Sequence, residues 1–381
     1  MTTSNNTNAK FGLVLPGLGH LLQGKLTPGI GMLSLLALLG TSAVAGFSRL
    51  GSVMFSGQAG SLSLHAVIAL IAWVSLAAGL WYNAYRLLHP RVLSDEERNS
   101  NKQIFLRQLG KHRTGMIGLF GVLIVFSFAF LTPFLAPFDP TMIDAGPKNL
   151  PPGDGYLMGT DKFGRDVLSR LLHGTWISLS IGMIAVSIAA TIGTTVGAVA
   201  GYFGGAIDRG MMWFTDLLLS MPRLILLITI AGLFRAPGVW KLVMLVVILG
   251  CTAWMGVSRI VRSQVLSLSQ QEFVQAARAL GMSDQRIVFR HIIPNALAPV
   301  IVYCSLAIGS TILAEASLSF LGLGVAPPTA TWGVMVNDAR EVLRSAPWTA
   351  LFPGFAIVFT VMSFNLFGDG LRDALDPKLK E

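Results

Sequence analysis

Eight apolar stretches, each about 20 residues long, dominate the sequence, at roughly 28–47, 64–85, 115–134, 177–201, 211–233, 239–257, 297–318 and 350–367. A bilayer core of about 30 Å is crossed by about 20 helical residues, so each stretch is long enough to span it. The expected fold is therefore an all-α polytopic membrane protein. Composition points the same way. Charged residues make up 12% of the 381 positions, against about 25% in ordinary soluble domains, too few to cover a water-facing surface. At 53% hydrophobic the chain is also unlike a disordered tail, and its 41 glycines show no collagen period. A soluble enzyme is excluded.

The charges orient the spans. Residues 86–113 carry a net +4 and residues 259–291 a net +3, whereas 135–175 carries −1 and 322–349 is neutral. Counting crossings puts the two basic segments on one side and the other two opposite. The positive-inside rule makes the basic side cytoplasmic, with both termini there; the short loop holding Arg235 and Lys241 is a mild exception outside. A run of Lys and Arg interleaved with aromatics is absent, so no nucleic-acid partner is expected, and membrane lipid is the first surrounding.

Three parts follow. Residues 1–88 form a two-helix membrane hairpin, read as an accessory element, whose leading segment LPGLGHLLQGKLTPGIG resembles the PGLGQ-type openings of small two-helix membrane modules. Ala43-Val44-Ala45 resembles a signal-peptidase site, but the polar stretch before it is long and has only Lys10 and Lys25 as charges. Residues 89–113 form a polar cytoplasmic linker, and residues 114–376 a six-helix domain. Cys251 and Cys304 sit in apolar runs and read as small buried filler. The six histidines have no metal-ligand spacing, and neither G-x-S-x-G nor H-E-x-x-H occurs. No catalytic set and no metal site are expected.

The long polar segment between the sixth and seventh spans, within 259–296, reads QQEFVQAARALGMSDQRIVFRHIIPNALAPV. Strong helix formers run from Gln271 to Leu280, Gly281 interrupts, and Ser283 and Asp284 offer a new N-cap. A second short helix is expected to end at His291, with Pro294 opening the next span. Two short helices at an angle would stand on the cytoplasmic face, free to receive a partner.

Ionisable residues inside spans are candidates for the transport path. Asp216 and Arg223 lie two turns apart with Pro222 between them as a kink. They either line a polar cavity together, or Asp216 sits near the cytoplasmic end and packs a helix pair. Glu315, flanked by Ala314, Ala316 and Ser317, is either a polar helix contact or a substrate or gating group. In the external segment GTDKFGRD, charge alternates through Asp161, Arg165, Asp166 and Arg170. These residues form either a salt network under an external gate or a docking surface for a binding protein.

The run Gln275-Ala276-Ala277, followed by Gly281 and Pro294, resembles the EAA loop of permease subunits in ABC-type importers. Its spacing is EAA-x3-G-x9-I-x-L-P, with Gln275, His291 and Ile293 in place of Glu, Ile and Leu. MGTDKFGRDVLSRLLHG resembles the GTD-x-x-GRD-x-x-SR signature of C-type permeases in the dipeptide, oligopeptide and nickel importer family. ILAEASLSFLGLGVAPPTATWGVM and the opening RQLGKHRTGMIGLFGVLIVF are close to the same pattern. The resemblance covers about residues 103–376 and leaves out the N-terminal hairpin.

That resemblance implies a permease that does not hydrolyse ATP itself: no G-x-x-x-x-G-K-[ST] phosphate loop is present. The implied partners are a second, B-type permease subunit, two ABC ATPase subunits that carry ATP and Mg²⁺, and an extracytoplasmic solute-binding protein, at a bacterial inner membrane. The implied ATPase contact lies on Gln275, Ala276, Ala277, Arg278, Gly281, Asp284 and Arg286, with the two alanines allowing close approach and the charged residues forming a polar rim. Dipeptides or oligopeptides are the expected cargo, nickel or another small solute the alternative, and a secondary transporter without an ATPase the more distant one.

Overall fold

The computed structural model describes residues 108–110, 112–153, 155–234 and 238–375. The hairpin 1–88, its Ala43 site and the linker up to residue 107 lie outside the described residues. Eleven α-helices follow in order: α1 Arg113–Leu135, α2 Val167–Phe203, α3 Gly205–Leu219, α4 Arg223–Leu233, α5 Val239–Cys251, α6 Trp254–Ser269, α7 Glu272–Ala279, α8 Asp284–Ile287, α9 Ile293–Phe320, α10 Trp332–Ala339 and α11 Trp348–Leu375. Pairing between extended segments is limited, among the described residues, to two isolated bridges in the loop before α2.

Among the described residues, five helical runs are long and apolar enough to cross a membrane: α1, α2, Trp240–Ser269, Asp284–Phe320 and α11. A sixth candidate is the pair α3 and α4, which meets at an 85° bend. The ends of the domain decide how that pair counts. At the start of α1, Gly115 packs against Gly370 near the end of α11, and the His112 ring lies 2.6 Å from the Asp373 carboxylate. Both ends therefore share one face, here the terminal face, and an even number of crossings is required. Six satisfy it, with α3 and α4 together making one broken span.

Three sequence expectations change. The span at 211–233 is not one gently kinked helix: Ser220–Pro222 interrupts it, because Pro222 cannot continue the hydrogen-bonding ladder. Nor does α8 end at His291 as a separate helix. The chain runs without a break from Asp284 to Phe320, through a π-helical turn at Val288–Ile292. Pro294 has no N–H to give the carbonyl four residues back and would crowd it, and a wider turn just before it takes up that misfit. Cys251 is exposed rather than buried, and Cys304 is half-buried; both are free thiols.

The spans pack through glycine. Gly193, Gly197 and Gly201 form one stripe of α2, and Val257, Val261 and Val265 of α6 lie against it. Those valines are at most 2% exposed. A Cβ on Gly193 would fall 2.5 Å from that of Val257, one on Gly201 would fall 2.9 Å from the Arg262 carbonyl oxygen, and one on Gly197 would press into the Ser258 carbonyl. Lipid tails are as apolar as valine, so burial from water does not drive this pairing, and close van der Waals approach does. Gly115, Gly118 and Gly121 similarly admit the backbone and Ser363 of α11 to α1. A core of Val122, Val125, Leu179, Ile312, Trp332 and Phe364 then joins α1, α2, α9, α10 and α11.

Gly197→Ala is expected to cost ~1–3 kcal/mol by overpacking and Gly197→Leu more, read as a lower thermal midpoint of the full-length chain in detergent. Gly210→Ala, inside α3 with open space around it, should not lower the midpoint and is expected to raise it slightly.

Candidate coupling loop, outer clasp and intramembrane cavity

On the terminal face, α6 leads into α7, whose Glu272 opens and Arg278 closes the helix, each sign favourable to its end of the helix dipole. The helix is amphipathic. Val274 and Ala277 are buried in a cluster with Val261, Val265, Ile287, Ile292 and Val300, which seats the loop on its own domain. Ala277 thus faces inward, and its small size serves that intramolecular contact; Ala276 is on the exposed face. Gln275 is exposed too, with its amide donating to the Gln270 carbonyl at 3.1 Å. Phe273, Leu280 and Phe289 protrude, Leu280 being 82% exposed.

The bend after α7 is built on Gly281, at φ +73°. Its N–H donates to the Arg278 carbonyl at 2.9 Å, and that of Met282 to Ala277 at 3.2 Å, an ending that left-handed glycine supplies at least cost. Ser283 stands at the N-cap of α8 as expected, although its side chain makes no capping bond. Asp284 and Arg278 converge on Tyr202 at the end of α2. The Tyr202 hydroxyl donates to Asp284 at 2.5 Å, and the Arg278 guanidinium lies 5.1 Å from the ring centre. Arg286 is exposed. Tyr202 has no signal in the sequence, being 82 residues from Asp284.

On the far face, the segment 136–166 folds over the helix ends. Asp161 accepts from the N–H groups of Phe163 at 2.8 Å and Arg165 at 3.0 Å, and from Arg165 Nε at 2.6 Å. Gly164, at φ +70°, lets the chain turn tightly against residues 144–146. Asp166 has a separate task as the N-cap of α2, accepting from Ser169 N at 2.8 Å. Arg165 then reaches Asp338 of α10 at 2.8 Å, and Arg170 lies 3.6 Å from Asp161 and 3.7 Å from Asp338. Two guanidinium groups and two carboxylates thus close one buried cluster, with Arg165 at 6% and Arg170 at 2% side-chain exposure. Of the two sequence readings of these charges, the geometry is that of the intramolecular salt network.

The intramembrane charges separate. Asp216 pairs with Arg259 at 2.5 Å, both more than half exposed, one helix turn from the two-point pair of Arg262 with Asp208, whose Nη2–Oδ2 distance is 2.6 Å. Asp216 therefore joins α3 to α6 and does not share a cavity with Arg223. Glu315 is fully buried and accepts from Ser319 at 2.7 Å and from Thr331 at 3.0 Å through Oε1. Thr331 is also the N-cap of α10, so Glu315 is a polar contact between α9 and α10. Arg223, just past the bend, faces a cavity of about 130 Å³ between α4, the α5–α6 turn and α9.

Asp338→Asn should cost about 3 kcal/mol, since it leaves two buried guanidinium groups against one carboxylate. Glu341→Gln removes only the exposed partner of Lys162 and should cost less than about 1 kcal/mol. Thermal unfolding of the two variants, side by side, checks both.

Comparison with known proteins places the chain in a family. Residues 193–381 match the family described as binding-protein-dependent transport system inner membrane component, and residues 100–152 match the N-terminal TM domain of oligopeptide transport permease C. The chain is 40% identical over 276 residues to the dipeptide transport system permease protein DppC of Alkalihalophilus pseudofirmus, covering 72% of this chain and 89% of that one. It is 42% identical over 275 residues to DppC of Bacillus subtilis, covering 72% and 85%. With the glutathione transport system permease protein GsiD of Pectobacterium atrosepticum it shares 40% over 292 residues, 76% and 95% of the two chains. With identity at this level across nearly the whole length of each relative, the chain belongs to the binding-protein-dependent transport system inner membrane components and is a permease subunit of that family.

Proposed function

We propose that this permease imports short peptides, and that its terminal face is the cytoplasmic side of a bacterial inner membrane. The basic residues favour that orientation: the segment 259–291, with its net +3, lies on the terminal face, and the neutral and acidic segments lie on the far one. The cargo assignment rests on the dipeptide and glutathione permeases to which the chain is similar. In the working assembly it pairs with a B-type permease subunit and receives cargo from an external binding protein. Two ABC ATPase subunits, which carry ATP and Mg²⁺, drive it.

The observation that supports the docking assignment is the pattern of exposure around Gly281. Phe273, Leu280 and Phe289 are apolar yet face outward, and exposed apolar groups framed by polar residues mark interaction surfaces. Gln275, Ala276 and Arg286 complete that surface. Arg278 and Asp284 act from its edge, through Tyr202, by fixing how α7 and α8 sit on the end of α2. Closure of the ATPase pair then pushes on a loop already fastened to three spans.

Leu280→Asp is expected to abolish co-purification of the ATPase subunits and to lower peptide-stimulated ATP hydrolysis at least about tenfold, with membrane insertion intact. Gly281→Val forces a β-branched residue to φ +73° and should weaken association in the same assay. Normal association of both variants would refute the docking surface. Failure of the reconstituted importer to accumulate dipeptide would refute the cargo.

A further inference from the structure

Arg223 is a cation in the interior of the broken span. Its Nε and Nη2 atoms are buried, and among the described residues neither has a hydrogen-bond partner. These two nitrogens form one edge of the guanidinium fork, the edge that meets a carboxylate through two parallel bonds. A guanidinium does not shed its proton in proteins, and an unpaired buried charge costs several kcal/mol, so a counter-anion is called for. Among the described residues no Asp or Glu lines the cavity that Arg223 faces, and Asp216, the nearest acid in sequence on the same span, is paired with Arg259.

The cavity offers a second group that points to a ligand. Thr311 of α9 lines it, is 1% exposed, and has a buried hydroxyl with no hydrogen-bond partner among the described residues. A buried hydroxyl left unpaired is costly. Tyr303, one face of α9 away, lines the same space. The walls come from helix irregularities: Arg223 follows the 85° bend, and Thr252 and Ala253 form the turn between α5 and α6. The volume of about 130 Å³ would hold about four waters at their share of the liquid, which is also space for the carboxylate end of one small residue.

We infer that Arg223, with Thr311 and Tyr303, forms a carboxylate subsite midway along the spans, which receives the C-terminal carboxylate of a passing peptide. The fork binds both oxygens, and the Thr311 hydroxyl donates to one of them or to the adjacent peptide carbonyl. Identifying the carboxylate as a peptide's terminus rests on the proposed peptide import; the anion subsite itself rests on the cavity.

The test uses the full-length chain in the assembled importer, with Cys251→Ser and Cys304→Ser to remove its own thiols and Ser310→Cys, which lines the same cavity, to report on it. Alkylation by N-ethylmaleimide is timed with acetate, glycylglycine, glycinamide or chloride at constant ionic strength. At ten times its dissociation constant a bound ligand should slow alkylation about tenfold. Acetate and glycylglycine are expected to protect, and glycinamide, which has no carboxylate, is not. Arg223→Gln should raise the acetate concentration needed by about 30-fold or more, and Arg223→Lys by less. Should Ser310→Cys fail to insert, Ala307→Cys, which also lines the cavity, takes its place. Equal protection by chloride would overturn the carboxylate assignment, and no protection by any anion, or protection unchanged in Arg223→Gln, would overturn the subsite. Protection by acetate in an importer that accumulates no dipeptide would leave the subsite standing and refute its peptide occupant.

Discussion

Close approach of helix backbones in lipid underlies the rest of this structure. Water is absent from the bilayer core, so apolar side chains gain little by touching one another instead of acyl chains. What holds α2 to α6 is the fit of Val257, Val261 and Val265 against the groove left by Gly193, Gly197 and Gly201. With that pair in register, α2 delivers Tyr202 to the coupling loop at one end and Asp166 and Arg170 to the outer clasp at the other. A spacing change in one stripe would reach both faces.

Polar groups are handled differently at three depths. At the far face two Arg and two Asp neutralise one another in a buried cluster, which fixes the segment before α2 onto α10. At the terminal face the polar contacts are exposed, and the apolar side chains face outward instead. Between them, Glu315 accepts from two hydroxyls through Oε1, whereas Arg223 Nε and Nη2 have no partner among the described residues. The far end is thus charge-paired, the terminal end presents apolar side chains, and the middle holds a cation without a partner among the described residues.

The positions of the six core spans were legible from apolar run length, since between residues 108 and 375 nothing else is long and apolar enough to cross. The coupling segment and the GTD-x-x-GRD segment were legible because their determinants are local. Gly281 turns the chain where it stands, and Asp161 bonds the amides two and four residues on. What could not be read was non-local pairing. Arg165 finds Asp338 across 173 residues and Arg262 finds Asp208 across 54, and no spacing rule connects such partners. The inward turn of Ala277 depends on which face of α7 meets Ile287 and Val265. The small residues at 193, 197 and 201 did carry a signal in their four-residue spacing, one that apolar run length overlooks. The severity of the bend at Pro222 was hidden because a proline marks a break but not its angle.

The unbroken run from Asp284 to Phe320 makes the loop's second arm the end of a lever. At 1.5 Å per residue its 37 residues extend about 55 Å, well beyond the hydrocarbon. A tilt of about 10° about the inner end moves the outer end by about 10 Å. Near that outer end sit Glu315 and Ser319, joined through Thr331 to the start of α10. The run thus ties Asp284 at the terminal face to the base of the far-face segment in one continuous helix, and its π-turn and the prolines at 294 and 299 are the points at which it can bend.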